Sequence, residues 1–411
     1  MPFALSFFLH LVTLSAIFQY INKNETIMTK IPFSRRRFFK VIGTGGLVVA
    51  SAPIAAAPAY IPQDEKPKTN IADADKVARS AKSLPGIYPG RVVKIDNENS
   101  VLDNTIVEEE AFKMIEKGML NLTGEKKLKN AWRTFVSPGE KIGLKVNPVA
   151  GKQLSTSHAV TKSVIKQLIA SGIKKEDIII FDRREFQLKE VGYNEENYPG
   201  IRIVGTEQQD KDGSYYGKDG ILYGEKMIDK EWYYWADVEG DYDEYTIPYM
   251  VNGGEYSYYS KIVTQEVDKI INIPILKNAG ATVTNAMKNL AYGVISNTGR
   301  LHAKLWSETC AEVCAFAPVR DKVVLNITDG LKGCFNGGPG ANPQFFANYK
   351  TMLFGTDPVA MDRIAHEIVV KKRIEEGIQK EDNPAASKFL DMAADLKLGV
   401  SKREEINLIQ A

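Results

Sequence analysis

Apolar and polar positions along this chain alternate between two rhythms. The run Ile178-Ile-Ile-Phe-Asp182 is unbroken and short, which predicts a strand buried on both faces, as in parallel sheets. Ahead of it, Val160, Val164, Ile165, Leu168 and Ile169 recur at helical spacing after Ser155-Thr-Ser-His158, and Gly172 closes that helix. Further upstream, Ser137-Pro-Gly-Glu turns into the strand candidate Lys141-Ile-Gly-Leu-Lys-Val-Asn147. Arg91-Val-Val-Lys-Ile predicts a strand, and an amphipathic helix follows over Glu108 to Leu122. Downstream, strands are predicted at Ile201–Gly205, Lys269–Leu276 and Lys322–Ile327. Asp357-Pro358 opens a helix with Asp as N-cap and Pro at the first position, and Met361, Ile364, Ala365 and Ile368 form its buried stripe.

Strand, helix and strand in this order predict an α/β domain over residues 91–411, with a mainly parallel central sheet flanked by helices. Residues 60–90, rich in Pro, Lys, Asp and Ala, read as a linker. The character changes at about 207–262, which holds eleven of the eighteen tyrosines together with Trp232 and Trp235. This predicts an inserted, aromatic-rich β lobe. Its rings suit a stacking platform for sugars or a local aromatic core. Asp237-x-Glu239-Gly-Asp241-x-Asp243-Glu244 is dense in oxygen ligands but does not match an EF-hand loop.

The N-terminal region carries a separate signal. Ser34-Arg-Arg-Arg-Phe-Phe-Lys40, the apolar stretch Val41 to Ala52 and Ala57-Pro58-Ala59 resemble the twin-arginine export signal of bacteria, departing from it only at Phe39. Residues 28–59 are therefore expected to be a signal peptide cleaved near Ala59, delivering the rest to the periplasm through the twin-arginine translocase. Residues 1–27, with the greasy stretch Phe3 to Phe18, are expected to be an extension upstream of a true start at Met28, with a membrane anchor as the alternative.

Export changes the charge balance. Residues 1–59 hold six Lys or Arg and one acid, so the remainder carries 47 bases against 50 acids and is near neutral. No basic block beyond the signal points to nucleic acid. The three cysteines, Cys310, Cys314 and Cys334, are too few and too odd in number for a disulfide framework. Their spacing does not encode a ferredoxin-type cluster, and buried packing thiols are expected.

The candidate chemistry lies at predicted strand ends and in Gly-rich turns. The stretches Gly143-Leu-Lys-Val-Asn147, Ile271-Asn-Ile-Pro-Ile-Leu-Lys277, Thr284-Asn-Ala-Met-Lys-Asn289, Asp329-Gly330, Gly338-Pro339 and Asp357-Pro-Val-Ala-Met-Asp362 resemble domain-of-unknown-function family 362. Where relatives often read Lys-Thr-His, this chain has Lys277-Asn278-Ala279, so a His ligand is not available there. The resemblance implies a fold and an export habit but no established reaction.

From the residue types alone, Lys145, Lys277 and Lys288 suit a phosphate or carboxylate. Asn147, Ser157, Asn289 and Gly338 are the accompanying ligand-binding candidates, Ser157 through the free N–H groups of its helix start. In an enzyme, Lys277 or Lys288 would stabilise charge and His302 would act as acid or base. Asp182, Asp329 and Asp362 would hold a divalent cation or balance the lysines. His366 reads as a helix residue rather than a ligand. The sequence thus predicts an exported α/β protein with a Lys/Asp/His pocket for an anionic small molecule or cofactor. The alternative is a non-catalytic periplasmic protein that binds a carbohydrate or a partner.

Overall fold

A computed structural model describes residues 67–238, 246–280 and 282–411. The export signal, the segment before it and most of the 237–244 acidic run lie outside the described residues.

Among the described residues the core is a mixed, mostly parallel sheet of eleven strands flanked by helices, an α/β architecture. In chain order the strands that matter here are β1 (Arg91–Asp96), β2 (Ile142–Lys145), β3 (Ile178–Arg184), β4 (Arg202–Glu207), β5 (Lys269–Asn272), β6 (Ile275–Ala279), β7 (Thr282–Thr284), β8 (Val323–Cys334), β9 (Thr351–Gly355) and β10 (Asn407–Gln410). The main path runs β10-β1-β9-β8-β5-β2-β3-β4, with β6 pairing β7 and β8. Pairs β2–β3, β3–β4, β2–β5, β5–β8, β6–β8 and β1–β10 are parallel, whereas β9 runs antiparallel to both β1 and β8.

Alternation along the strands builds a core on each face. Ile178 and Ile180 pack with Met114 and Ile115 of helix α1 (Glu108–Thr123) and with Val160, Val164 and Leu168 of α2 (His158–Ala170). Ile179 and Phe181 point into the opposite core. There they join Met287 and Leu290 of α3 (Ala286–Val294), Cys310 and Cys314 of α5 (Trp306–Ala315) and Met361 and Ile364 of α6 (Pro358–Glu375), with α4 (Gly299–Lys304) before α5. Side chains must be apolar on both sides of β3, which explains its unbroken run.

Two differences from the sequence reading have physical causes. The strand expected over Lys269–Leu276 is two strands, because Pro274 has no N–H for the ladder and restricts Ile273 before it. The carbonyl of Pro274 instead accepts from Asp329 N–H at 2.8 Å, and the chain continues as β6. Second, the part of the expected linker that is described, from 67 onward, is docked. Buried Arg320 donates to the carbonyls of Ala74 at 3.1 Å and Val77 at 2.9 Å, and Leu84 is buried. A buried guanidinium needs acceptors, and this segment supplies them. Within 207–262 a two-stranded antiparallel sheet pairs Ile228–Tyr234 with Ser257–Ser260. Tyr233, Tyr256 and Tyr258 pack on one another there, with centroids 5.0 to 6.3 Å apart. Those rings are used as packing. Among the described residues no helix is long and apolar enough to cross a membrane.

Candidate functional site

The strand order reverses beside β2, since β3 and β4 lie to one side and β5 to the other. A crevice forms beyond carboxyl ends at such a switch point, the usual ligand position in open α/β sheets. A cleft of ≈ 80 Å³ lies here, bordered by Asn147 after β2, Asp182 and Arg183 at the end of β3, Lys277 on β6, and Lys288 and Asn289 on α3. His302 of α4 and Pro339 also line it. A water needs about 10–15 Å³ of such space, so there is room for several waters or a small ion.

Helix α3 is held over the cleft by its N-terminus. Asp362 of α6 accepts from the N–H groups of Ala286 (2.6 Å) and Met287 (3.0 Å), satisfying donors that a helix start leaves free. Lys288 and Tyr292, and likewise Asn289 and Gly293, are four residues apart and share a helical face. Gly293 is required by proximity, because a Cβ there would stand 2.1 Å from Lys145 Cε and 2.5 Å from its Nζ.

Lys145 lies beneath this helix, fully buried. Its ammonium pairs with Asp182 and donates to the Val146 carbonyl at 2.8 Å and Asn289 Oδ1 at 3.1 Å. Its three donors are thus committed. Burial pushes its pKa down, opposed by the Asp182 carboxylate.

A chain of amides links the lysines to the sheet. Lys277 Nζ donates to Asn147 Oδ1 at 3.1 Å, and Asn147 Nδ2 donates to Asn289 Oδ1 at 2.9 Å. Asn289 Nδ2 then donates to Asn272 Oδ1 at 2.8 Å, and Asn272 Nδ2 to Asn326 Oδ1 at 2.9 Å. All four asparagines are buried, and such a network fixes which end of each amide faces the cleft.

The other two lysines are less well matched. Among the described residues, neither Lys277 nor Lys288 has a carboxylate within ion-pair distance, and Lys277 has the single acceptor Asn147. Burial and the charge of Lys288 push the Lys277 pKa down to about 7. Lys288 sits 5.5 Å from the Trp306 ring centroid, and burial lowers it to about 8. Arg183 adds a further guanidinium, bonded to Thr298 Oγ1 and 3.5 Å from the Glu207 carboxylate. Thr284 Oγ1, buried in the cleft wall, has no hydrogen-bond partner.

His302 stacks on Tyr292, with ring centroids 4.0 Å apart, and its Nδ1 lies 3.0 Å from the Thr298 carbonyl. That contact makes Nδ1 the protonated nitrogen and leaves a lone pair on Nε2. His302 is exposed to solvent as a residue, and the desolvation it does undergo, then the charges of Lys288 and Arg183, push its pKa down.

The structure therefore brings together Lys277, Lys288, His302, Asn147, Asn289 and Asp182, with Lys145 directly underneath. Gly338 is not in the lining. Its N–H donates to Asn278 Oδ1 at 2.9 Å, and its neighbour Pro339 forms the wall. Ser157 is not a ligand group either. It caps α2, and its N–H donates to Asp329 Oδ2 at 2.8 Å, so the protein supplies its own anion to that helix start.

The three aspartates expected either to hold a divalent cation or to balance the lysines each have a partner within the protein. Asp182 pairs with Lys145, Asp329 serves Ser157, and Asp362 holds the start of α3. Among the described residues no group of three or more His, Cys, Asp or Glu is arranged to hold a metal ion. The described cysteines are buried free thiols whose pKa values burial pushes up.

Sequence reasoning missed Arg183, Tyr292, Asn272 and Asn326. The asparagines had a signal, being polar residues inside runs that are otherwise apolar.

Comparison with known proteins adds a family match. The model of the family described as Domain of unknown function (DUF362) matches residues 234–367, a stretch that includes Lys277, Lys288, Asn289 and His302. This supports the resemblance over that stretch. Among curated proteins none matches the chain. Two solved structures are similar at 10% identity. One is the crystal structure of a Thermotoga maritima protein, with TM-score 0.34 over 71% of this chain and 59% of that one. The other is the lactate racemase apoprotein from Thermoanaerobacterium thermosaccharolyticum, with TM-score 0.35 over 72% of this chain and 59% of that one. The chain thus spans 59% of the length of each.

Proposed function

We propose that the cleft at the β2/β5 switch point binds a small anionic molecule, a carboxylate or phosphate, between Lys277 and Lys288. One observation carries this reading: two buried lysines face a single cleft with, among the described residues, no carboxylate within ion-pair distance of either. Asp182, which acts on Lys277 from farther away, is already paired with Lys145. Burying an ammonium costs several kcal/mol unless a counter-charge offsets it, and a bound anion is the missing counter-charge. Thr284 Oγ1 and Arg183 line the same cleft and supply further donors, and the amide chain holds Asn147 and Asn289 in fixed orientation. His302, neutral at ordinary pH, is positioned to accept a proton from a bound ligand, which favours an enzyme over a passive binder.

We further propose that the protein works in the periplasm after twin-arginine export. The motif at Ser34–Lys40 supports that reading, and folding before export suits a site assembled from strands distant in sequence.

Calorimetric titration with inorganic phosphate and with small carboxylates tests the anion site. Binding that disappears in both Lys277→Met and Lys288→Met, with the fold retained by circular dichroism, is the expected result. Undiminished binding in both variants would refute the reading.

A further inference from the structure

We propose that Lys277 captures a carbonyl compound covalently, so that the cleft takes a molecule with a ketone or aldehyde beside a carboxylate, a 2-oxo acid, and holds it as an imine on Nζ while Lys288 faces the carboxylate. This rests on the anion reading above and names the class of ligand.

The three buried lysines differ in what surrounds each nitrogen. Lys145 has a carboxylate and two further oxygens for its three donors, so it is locked as an ammonium. Lys288 lies over the Trp306 ring, a face that favours a cation. Lys277 is buried, has one neutral acceptor at 3.1 Å and stands close enough to Lys288 for that charge to disfavour its own. Burial beside a second cation is the setting that frees a lysine amine as a nucleophile.

The hydrogen-bond count agrees with the product. An ammonium has three N–H donors and an iminium has one, and Asn147 Oδ1 is the one acceptor offered.

The step balances without a co-reactant. Nζ adds to the carbonyl carbon, and the carbon–oxygen bond breaks as the oxygen leaves as water with two of the three ammonium protons. The third proton stays on nitrogen as the iminium N–H. One proton must be lent and returned along the way, and the neutral imidazole of His302 lining the cleft can carry it.

The test uses pyruvate as the probe and sodium cyanoborohydride to reduce any imine to a stable amine. The adduct is then located by mass spectrometry of peptides, while calorimetry measures pyruvate and phosphate binding in parallel. The expected result is one reduced pyruvate on Lys277, absent in Lys277→Met and in Lys277→Arg. Lys288→Met should raise the pyruvate concentration needed by on the order of tenfold or more, the loss of one charge-assisted hydrogen bond. The arginine variant keeps the charge, and a circular dichroism melt separates a lost nucleophile from a lost fold. Binding of either anion without a Lys277 adduct, or adducts spread over exposed lysines, overturns the imine and leaves the anion site standing. Absence of binding by both probes removes the anion reading and this inference with it.

Discussion

Replacing Gly293 with alanine tests the packing on which the site depends. In an ordinary helix Gly→Ala is favourable by about 1 kcal/mol. Here the added Cβ would sit 2.1 Å from Lys145 Cε and 2.5 Å from Nζ, inside contact distance. The end of a lysine usually swings away at little cost, but this one is fully buried and pinned by Asp182, Val146 and Asn289. Moving it breaks a buried ion pair, a loss of about 3–5 kcal/mol. The clash wins over helix propensity, and Gly293→Ala should destabilise the protein by about 2–4 kcal/mol. Urea unfolding followed by far-ultraviolet circular dichroism measures this as a lower midpoint at an unchanged slope. In a Lys145→Met, Asp182→Asn background, where no ion pair remains to break, the same substitution should cost much less. A midpoint that is unchanged or raised by Gly293→Ala in the wild type would refute the argument that Lys145 is locked under α3.

Four further outcomes follow from the same geometry and from the export motif. Anion affinity should fall as pH rises through about 7 to 8, where Lys277 and Lys288 lose their protons, and titration at a series of pH values reads this directly. Their folded-state pKa values lie below 10.5, so the unfolded chain binds more protons between the two, and their contribution to ligand-free stability should increase with pH across that window. Asp362→Ala strips two N–H groups of α3 of their acceptor and should cost about 1–3 kcal/mol in urea unfolding. Arg35→Lys with Arg36→Lys should leave precursor in the cytoplasm in a fractionation experiment, and efficient export of that variant would sink the periplasmic reading.

Much of the fold was legible because each strand and helix writes its own period. The unbroken run at Ile178 announced a strand covered on both faces, and the Asp357-Pro358 start announced α6. The break at Pro274 was also visible, but its consequence was not. Only the sheet shows that the chain leaves β5 and resumes beside the second half of β8.

Among the site residues, the lysines, Asn147, Asn289 and His302 could be nominated as types near strand ends. Asp182 balances Lys145, one of the two roles open to it, whereas the roles of Asp329 and Asp362 were not legible because their partners are distant in sequence. Asp362 serves Ala286, Asp329 serves Ser157, and nothing at either position indicates that a carboxylate will be taken up by a helix start rather than by a metal. Arg183 was overlooked beside Asp182 for the same reason, since its value comes from reaching the cleft beside α3 and α4.

The partition of charge among the buried lysines leads to a last consequence. A structural lysine in a core comes with a carboxylate, and Lys145 follows that rule through Asp182. Lys277 and Lys288 do not, so their burial works against folding and is retained at a cost in stability. Lys277→Met and Lys288→Met keep the apolar stems and remove an uncompensated charge, and each should stabilise the ligand-free protein by about 1–4 kcal/mol. The same variants should lose the stabilisation that an anion confers on the wild type, about 2.7 kcal/mol at one hundred times its dissociation constant. Thermal melts with and without phosphate resolve both effects in one experiment. Stability gained with the response to anion lost identifies the lysines as functional. Stability lost on removing either ammonium would mean that the charge holds the fold together, and the anion site would lose its foundation.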